Sequence, residues 1–160
     1  RHVQSVADVL AESGCGLIIC EESIKIIAPS VLLGVKNIQT QPYPGFPTDM
    51  QSQMMACLCT AHGESSITEN IFENRFKIVP ELIRMGRYFS EWVEGIDRGS
   101  AKLHGEAVAA RDLRGGAALV AAGLAAEGTT IVQESEYIDR GYVDVCSDLR
   151  SLGACIDRRQ

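Results

Sequence analysis

Hydrophobic residues along this chain fall into two regimes, ordinary amphipathic stripes and stretches with almost no polar face. Val3, Val6 and Leu10 make a helical stripe that stops at Gly14, and Leu17 to Cys20 then reads as a strand. From Thr48 to Gly63 the pattern changes. Met50, Met54, Met55, Ala56, Cys57, Leu58, Cys59 and Ala61 leave almost no polar side, and Thr48 with Gln51 has the spacing of a capping box. Ala117 to Ala126 carries no polar side chain at all. A helix that is apolar all round is predicted to be buried on every side. Gly115, Gly116 and Gly123 weaken an isolated helix but permit close contact with neighbouring elements. Val145, Cys146, Leu149 and Leu152 return to a one-sided stripe.

These elements repeat. Thr48-Asp49-Met50 opens one apolar helix and Arg111-Asp112-Leu113 another, ending near Gly63 and Gly128. A short strand follows each glycine, Ser66 to Thr68 and Thr130 to Val132. Next come Asn74-Arg75-Phe76 and Asp139-Arg140-Gly141, each leading into a second helix that ends at Met85-Gly86 or Leu152-Gly153. Strands are expected over Arg87 to Val93 and Ala154 to Asp157. The repeat is roughly 65 to 70 residues long, larger than a solenoid unit. Residues 1–40 read as the end of a first unit and its connection, 41–105 as a second unit and 106–160 as a third, all within one domain. The order strand, helix, strand, helix, strands is an α/β pattern with pseudo-symmetry. It places the apolar helices together at the centre.

Composition narrows the function. The net charge of -6 offers no cationic field for a general nucleic-acid binder. A local anion pocket remains open, because arginine dominates the 15 cationic residues and pairs bidentately with phosphate and carboxylate. The six cysteines lie mostly within apolar segments, which suits small hydrophobes better than a disulfide framework. With no C-x-x-C pair and with His2, His62 and His104 scattered, neither a metal site nor a cofactor is expected. The absence of a signal peptide fits a cytoplasmic protein. The longest apolar stretch is too short to span a bilayer, so no membrane partner is expected.

Candidate chemistry lies at equivalent places in the two units. Asp49 and Asp112 stand at helix starts, where either could be an N-cap or a site carboxylate. Arg75 and Arg140 stand between a strand end and a second helix, where solvation or an Asp–Arg pair competes with anion binding. Arg114 begins an apolar helix, and a buried guanidinium there needs an anionic partner. Helix N-termini also favour anions. The two helix starts with their arginines therefore suit a phosphorylated or carboxylated ligand.

Four strings carry a resemblance. Pro44-Gly45-Phe46-Pro47-Thr48-Asp49-Met50-Gln51, Phe72-Glu73-Asn74-Arg75-Phe76, Asp112-Leu113-Arg114 followed by Ala117-Ala118-Leu119-Val120, and Ile138-Asp139-Arg140-Gly141-Tyr142 resemble the UDP-N-acetylglucosamine 1-carboxyvinyltransferases. The match covers about Gln41 to Gln160 and is weaker before that. It implies an inside-out α/β barrel built from repeated βαβαββ units around buried helices, here with an incomplete first unit. The chain would be the C-terminal part of an enzyme whose N-terminal domain is missing.

The implied reaction moves enolpyruvate from phosphoenolpyruvate to the 3-hydroxyl of UDP-N-acetylglucosamine, the first committed step of peptidoglycan synthesis. The resemblance makes Asp49 the carboxylate that removes the hydroxyl proton. Ile71 would contact the UDP-sugar through its backbone, and Phe72 would lie near the sugar. Arg75, Arg114 and Arg140 would handle the phosphate and carboxylate of phosphoenolpyruvate, so that Asp49, Arg114 and Arg140 are the expected catalytic residues. Arg111, Gly115-Gly116 and Tyr137 depart from the family pattern. The family's loop cysteine, the target of fosfomycin, and its Lys-Asn pair belong to the other domain, and no cysteine here has that loop context. A 5-enolpyruvylshikimate-3-phosphate synthase-like enzyme and a non-catalytic binding domain of the same fold are the competing readings.

Overall fold

The structure is a computed structural model that describes residues 2–89, 94–99 and 102–159. Each run of the repeated pattern becomes a helix docked beside a short strand. In chain order the elements are α1 (Gln4–Glu12), β1 (Gly16–Ile19), β2 (Ile24–Ile27), β3 (Ile38–Gln39), a 3₁₀ turn Thr48–Met50 and α2 (Gln51–Leu58). Then come β4 (Gly63–Thr68), a second 3₁₀ turn Arg75–Ile78, α3 (Val79–Arg84) and β5 (Glu94–Gly99). The last are β6 (Ala107–Ala109), α4 (Leu113–Ala125), β7 (Ile131–Gln133), α5 (Glu136–Asp139) and α6 (Val145–Ser151). Strands β1 and β2 form an antiparallel hairpin. Strand β4 pairs parallel with β3 and antiparallel with β5, and β6 pairs parallel with β7.

The repeat is visible in individual hydrogen bonds. Helices α1, α3 and α6 end in the same Schellman turn: Cys15, Arg87 and Ala154 donate their backbone N–H to the carbonyls of Leu10, Leu82 and Leu149 at 3.0 Å. Gly14, Gly86 and Gly153 supply the left-handed residue of each turn, with φ of 95°, 95° and 93°. Two further positive-φ glycines, Gly63 and Gly128, follow α2 and α4. Gly34 N–H donates to the His62 carbonyl, and Gly105 N–H donates to that of Glu127. At both glycines an added Cβ would lie 2.4 Å from a backbone oxygen, of Glu64 and Thr129 respectively.

Helices α2 and α4 pack against each other at the centre. Their buried side chains, Met54, Met55 and Leu58 with Ala118, Leu119 and Ala122, join Ile67, Val79, Leu82, Met85 and Val108 in the main core. Helix α2 has no exposed residue, as its composition predicts. Helix α4 differs. Ala121, Leu124 and Ala125 form an exposed apolar stripe, with Leu124 42% exposed, because no described element covers that face. Beside it α4, β7, α6 and the C-terminal tail line an open cavity of about 900 Å³.

Four other expectations are corrected. Residues 90–93 of the expected strand Arg87 to Val93 lie outside the described residues, Arg87 and Tyr88 are not in a strand, and the strand of this segment is β5. Ala154 to Asp157 is not a strand; Arg150 ties this tail to α6 through the Ile156 carbonyl and the Asp157 carboxylate. Leu152 sits past the end of α6 and is 82% exposed rather than packed. Cys20, in the turn of the β1–β2 hairpin, is exposed rather than interior. No helix among the described residues is long and apolar enough to cross a membrane.

Candidate active site

The segment Gln41–Met50 folds back on itself, with Gln41 N–H donating to the Phe46 carbonyl and Gly45 N–H to that of Pro42. Phe46 is buried in the main core and pins the turn. This delivers Asp49 to the outer end of α2, in the 3₁₀ turn that precedes the helix. The Asp49 side chain is 60% exposed. It does not cap α2, which has no side-chain cap.

Asp49 Oδ1 accepts from two arginines, Nε of Arg114 at 2.5 Å and Nη2 of Arg75 at 3.4 Å. Arg114 lies in the first turn of α4, so this contact joins the N-terminal ends of the two packed helices. Arg114 is not a buried cation, as its side chain is 36% exposed; the anionic partner predicted for it is Asp49. Arg75 is more enclosed, at 17%. Its guanidinium also lies 4.9 Å from the centre of the Phe72 ring, a cation–π distance. Asn74 holds the preceding position with φ of 57°, a left-handed conformation that Asn tolerates. Two cations thus converge on one carboxylate, although the chain as a whole is acidic.

Asp112 caps α4 by accepting the Gly115 N–H at 2.8 Å. Arg140 follows α5 and stacks on Tyr137, with 4.8 Å from guanidinium to ring centre. Its neighbour Gly141 approaches Leu113 closely, with an added Cβ 2.7 Å from Leu113 Cδ2, so Arg140 belongs to the same end of α4. The partner of Asp139 is Arg158. Arg111 pairs with Glu134 at 3.5 Å. Asp49, Arg75, Phe72 and Arg114 are therefore in direct or shared contact, while Arg140, near the start of α4, stacks on Tyr137.

The capping box expected at Thr48 and Gln51 does not form. Thr48 Oγ1 instead donates to Glu69 Oε2 at 2.9 Å, and buried Gln51 accepts from Ser52. Glu69 was not distinguishable in the sequence. Its other oxygen accepts the N–H groups of Ile71 at 2.9 Å and Phe72 at 3.1 Å. Partial burial pushes its carboxyl upward, but the bonds from Ile71, Phe72, Thr48 and Thr40 outweigh burial and hold it below the ordinary value of 4.5. A carboxylate at a strand end, just before a segment with free N–H groups, is a recognisable signal only once Thr48 is known to lie opposite.

The chain resembles known proteins over nearly its whole length. Residues 1–149 match the family model described as EPSP synthase (3-phosphoshikimate 1-carboxyvinyltransferase). The chain is 50% identical over 161 residues to the UDP-N-acetylglucosamine 1-carboxyvinyltransferase of Desulfofundulus thermocisternus, covering 99% of this chain and 65% of that protein. It is 48% identical to UDP-N-acetylglucosamine 1-carboxyvinyltransferase 2 of Caldanaerobacter subterraneus subsp. tengcongensis, covering 99% of this chain and 38% of that protein. The enolpyruvyl transferase NikO from Streptomyces tendae superposes with a TM-score of 0.86 at 27% identity, over 97% of this chain and 36% of NikO. EPSP synthase from Acinetobacter baumannii shares the fold, with a TM-score of 0.77 at 17% identity, over 98% of this chain and 40% of its own. The sequence thus spans between 38% and 65% of these carboxyvinyltransferase relatives. With its α/β fold, its repeated units and its matched residues, the chain belongs to the EPSP synthase (3-phosphoshikimate 1-carboxyvinyltransferase) family.

Proposed function

We propose that the whole protein carrying this chain transfers enolpyruvate from phosphoenolpyruvate to the 3-hydroxyl of UDP-N-acetylglucosamine, in the cytoplasm, as the first committed step of peptidoglycan synthesis. The observation that carries this reading is the Asp49 carboxylate held between Arg75 and Arg114 at the joined ends of α2 and α4. Asp49 takes the proton of the sugar 3-hydroxyl as its oxygen attacks C2 of phosphoenolpyruvate, while a proton reaches C3. Phosphate then leaves the tetrahedral intermediate and the C3 proton is lost again. The Ile71 backbone and the Phe72 ring hold the UDP-sugar. Arg75, Arg114 and Arg140 hold the phosphate and carboxylate of phosphoenolpyruvate and stabilise the charge of the intermediate.

Anion binding is inexpensive here. Partly exposed ion pairs contribute about 0–1 kcal/mol, so a doubly charged phosphate can displace Asp49 from its arginines at little cost. Displacement also frees the Asp49 oxygen to accept a proton.

This chain forms one wall of the site, and the other wall, with the proton donor to C3, comes from an N-terminal domain. The uncovered stripe on α4 and the cavity beside it support further residues packing there, which would close an inside-out barrel of βαβαββ units, with 1–40 as the end of the first unit and its connection, 41–105 as the second unit and 106–160 as the third. The test is phosphate release by the full-length protein with phosphoenolpyruvate and either UDP-N-acetylglucosamine or shikimate 3-phosphate. Release only with the UDP-sugar is expected. Release only with shikimate 3-phosphate would replace the acceptor, and release with neither would leave a binding domain. The 160-residue chain alone is expected to release no phosphate with either acceptor.

A further inference from the structure

We propose that Glu69 is a positioning residue for the transfer reaction: its carboxylate locks the segment bearing Asp49 to the segment bearing Ile71, Phe72 and Arg75. This rests on the function proposed above and adds a role to a residue outside the site itself. One oxygen takes the hydroxyl of Thr48, the residue before Asp49. The other takes the N–H groups of Ile71 and Phe72. Regular structure holds each segment on one side only, α2 after Thr48–Met50 and β4 before Glu69. Thr48–Met50 is a single 3₁₀ turn without a side-chain cap, and residues 69–72 form no helix or strand. Next to Glu69, Asn70 N–H donates to the hydroxyl of fully buried Thr40, which fixes the end of β4 to the strand beside it. Glu69 extends that anchorage across to Asp49.

The donor set explains why the residue is acidic. An ionised carboxylate only accepts hydrogen bonds, and the groups that converge on it are donors. The Ile71 backbone and Phe72 are the proposed sugar contacts, and Asp49 is the proposed base. Glu69 therefore sets the distance between where the sugar sits and where its hydroxyl loses a proton. Displacements of about 1 Å between such groups can cost about 10²-fold in rate.

The test measures steady-state kinetics of the full-length protein as wild type, Glu69→Ala, Glu69→Gln, Thr48→Val and the Thr48→Val/Glu69→Ala double variant, with thermal melting of each. For Glu69→Ala the expectation is a loss of about 10²-fold in kcat/KM for UDP-N-acetylglucosamine. The KM for phosphoenolpyruvate should change less than that for the UDP-sugar, because of its three arginines only Arg75 stands on the clamped segment. Thr48→Val cuts one leg of the clamp and should lose about tenfold. The double variant should be no worse than Glu69→Ala, since both act through one linkage. Glu69→Gln keeps one acceptor oxygen and should recover part of the activity.

Near-normal kinetics in Glu69→Ala, or additive losses in the double variant, would overturn the clamp. So would equal losses for both substrates accompanied by a lower melting temperature, the mark of a structural role only. If Glu69→Ala does not fold, Thr48→Val decides by the same criteria. A wild type without turnover would defeat the proposed function itself, and the clamp's role with it; a wild type that turns over beside an unaffected Glu69→Ala would defeat the clamp alone.

Discussion

Adding one methyl group at Gly116 or at Gly115 should move stability in opposite directions. The two residues are consecutive in the first turns of α4, and both are buried. Glycine in a helix costs roughly 0.5–1 kcal/mol relative to alanine, so each substitution gains about that much from the backbone. The surroundings differ. A Cβ at Gly116 would lie 2.7 Å from Ile138 Cγ1 and 2.9 Å from Ala110 Cβ. The first is the branch of a buried side chain on α5 and the second is fixed to the backbone, so neither can move aside without shifting its element. Overpacking of this kind costs about 1–3 kcal/mol. The nearest atoms to a Cβ at Gly115 would be those of the Asp112 carboxylate, at ordinary contact distances of 3.4–3.6 Å. Gly115→Ala should therefore stabilise, and Gly116→Ala should be neutral to destabilising by about 2 kcal/mol. A difference of about 1–3 kcal/mol between them corresponds to several degrees in Tm for a domain of this size. Urea unfolding and calorimetry of the two variants measure it. If Gly116→Ala stabilises as much as Gly115→Ala, then α5 does not pack against α4 as described.

Two further outcomes follow from other surfaces. Leu124→Glu introduces a charge into the apolar stripe on α4. In the 160-residue chain it should change stability by no more than about 0.5 kcal/mol, whereas in the full-length protein, if that face is covered, the loss should exceed about 2 kcal/mol in urea unfolding. Glu69 gives a pH signature. Its folded carboxyl lies below the ordinary 4.5, so its contribution to stability is present above that pH and is lost as pH falls through the lower, folded value. The stability gap between wild type and Glu69→Gln, followed by urea unfolding, should be constant near neutral pH and shrink below about 4.5; a gap that widens on acidification would contradict the hydrogen bonds described.

What the sequence made legible was local. The glycines after each helix marked left-handed turns, and they recur with the same hydrogen bonds in α1, α3 and α6. Asp112 was readable as a cap because its partner, Gly115, is three residues away. The partners that define the site are distant in sequence. Asp49 and Arg114 are separated by 65 residues, and no spacing rule connects them. Thr48 and Gln51 satisfied a local rule and still lost to Glu69, a stronger acceptor that tertiary packing brings alongside. Arg140 showed the same limit, because Asp139 beside it in the chain pairs with Arg158 and the aromatic Tyr137 takes its place. The exposed side of α4 was illegible for another reason. An apolar composition states that a helix needs cover on all sides, but it does not say which chain segment supplies it.

The central claim is that Asp49 is the base at the meeting point of α2 and α4, and the rate of phosphate release by full-length Asp49→Ala tests it most directly. Asp49 is largely exposed and its ion pairs contribute about 0–1 kcal/mol, so the variant should keep its melting temperature to within a few degrees. Turnover with saturating phosphoenolpyruvate and UDP-N-acetylglucosamine should fall by about 10²–10⁴-fold, the usual contribution of a positioned general base. A folded Asp49→Ala variant that releases phosphate within a few-fold of the wild-type rate would contradict the account.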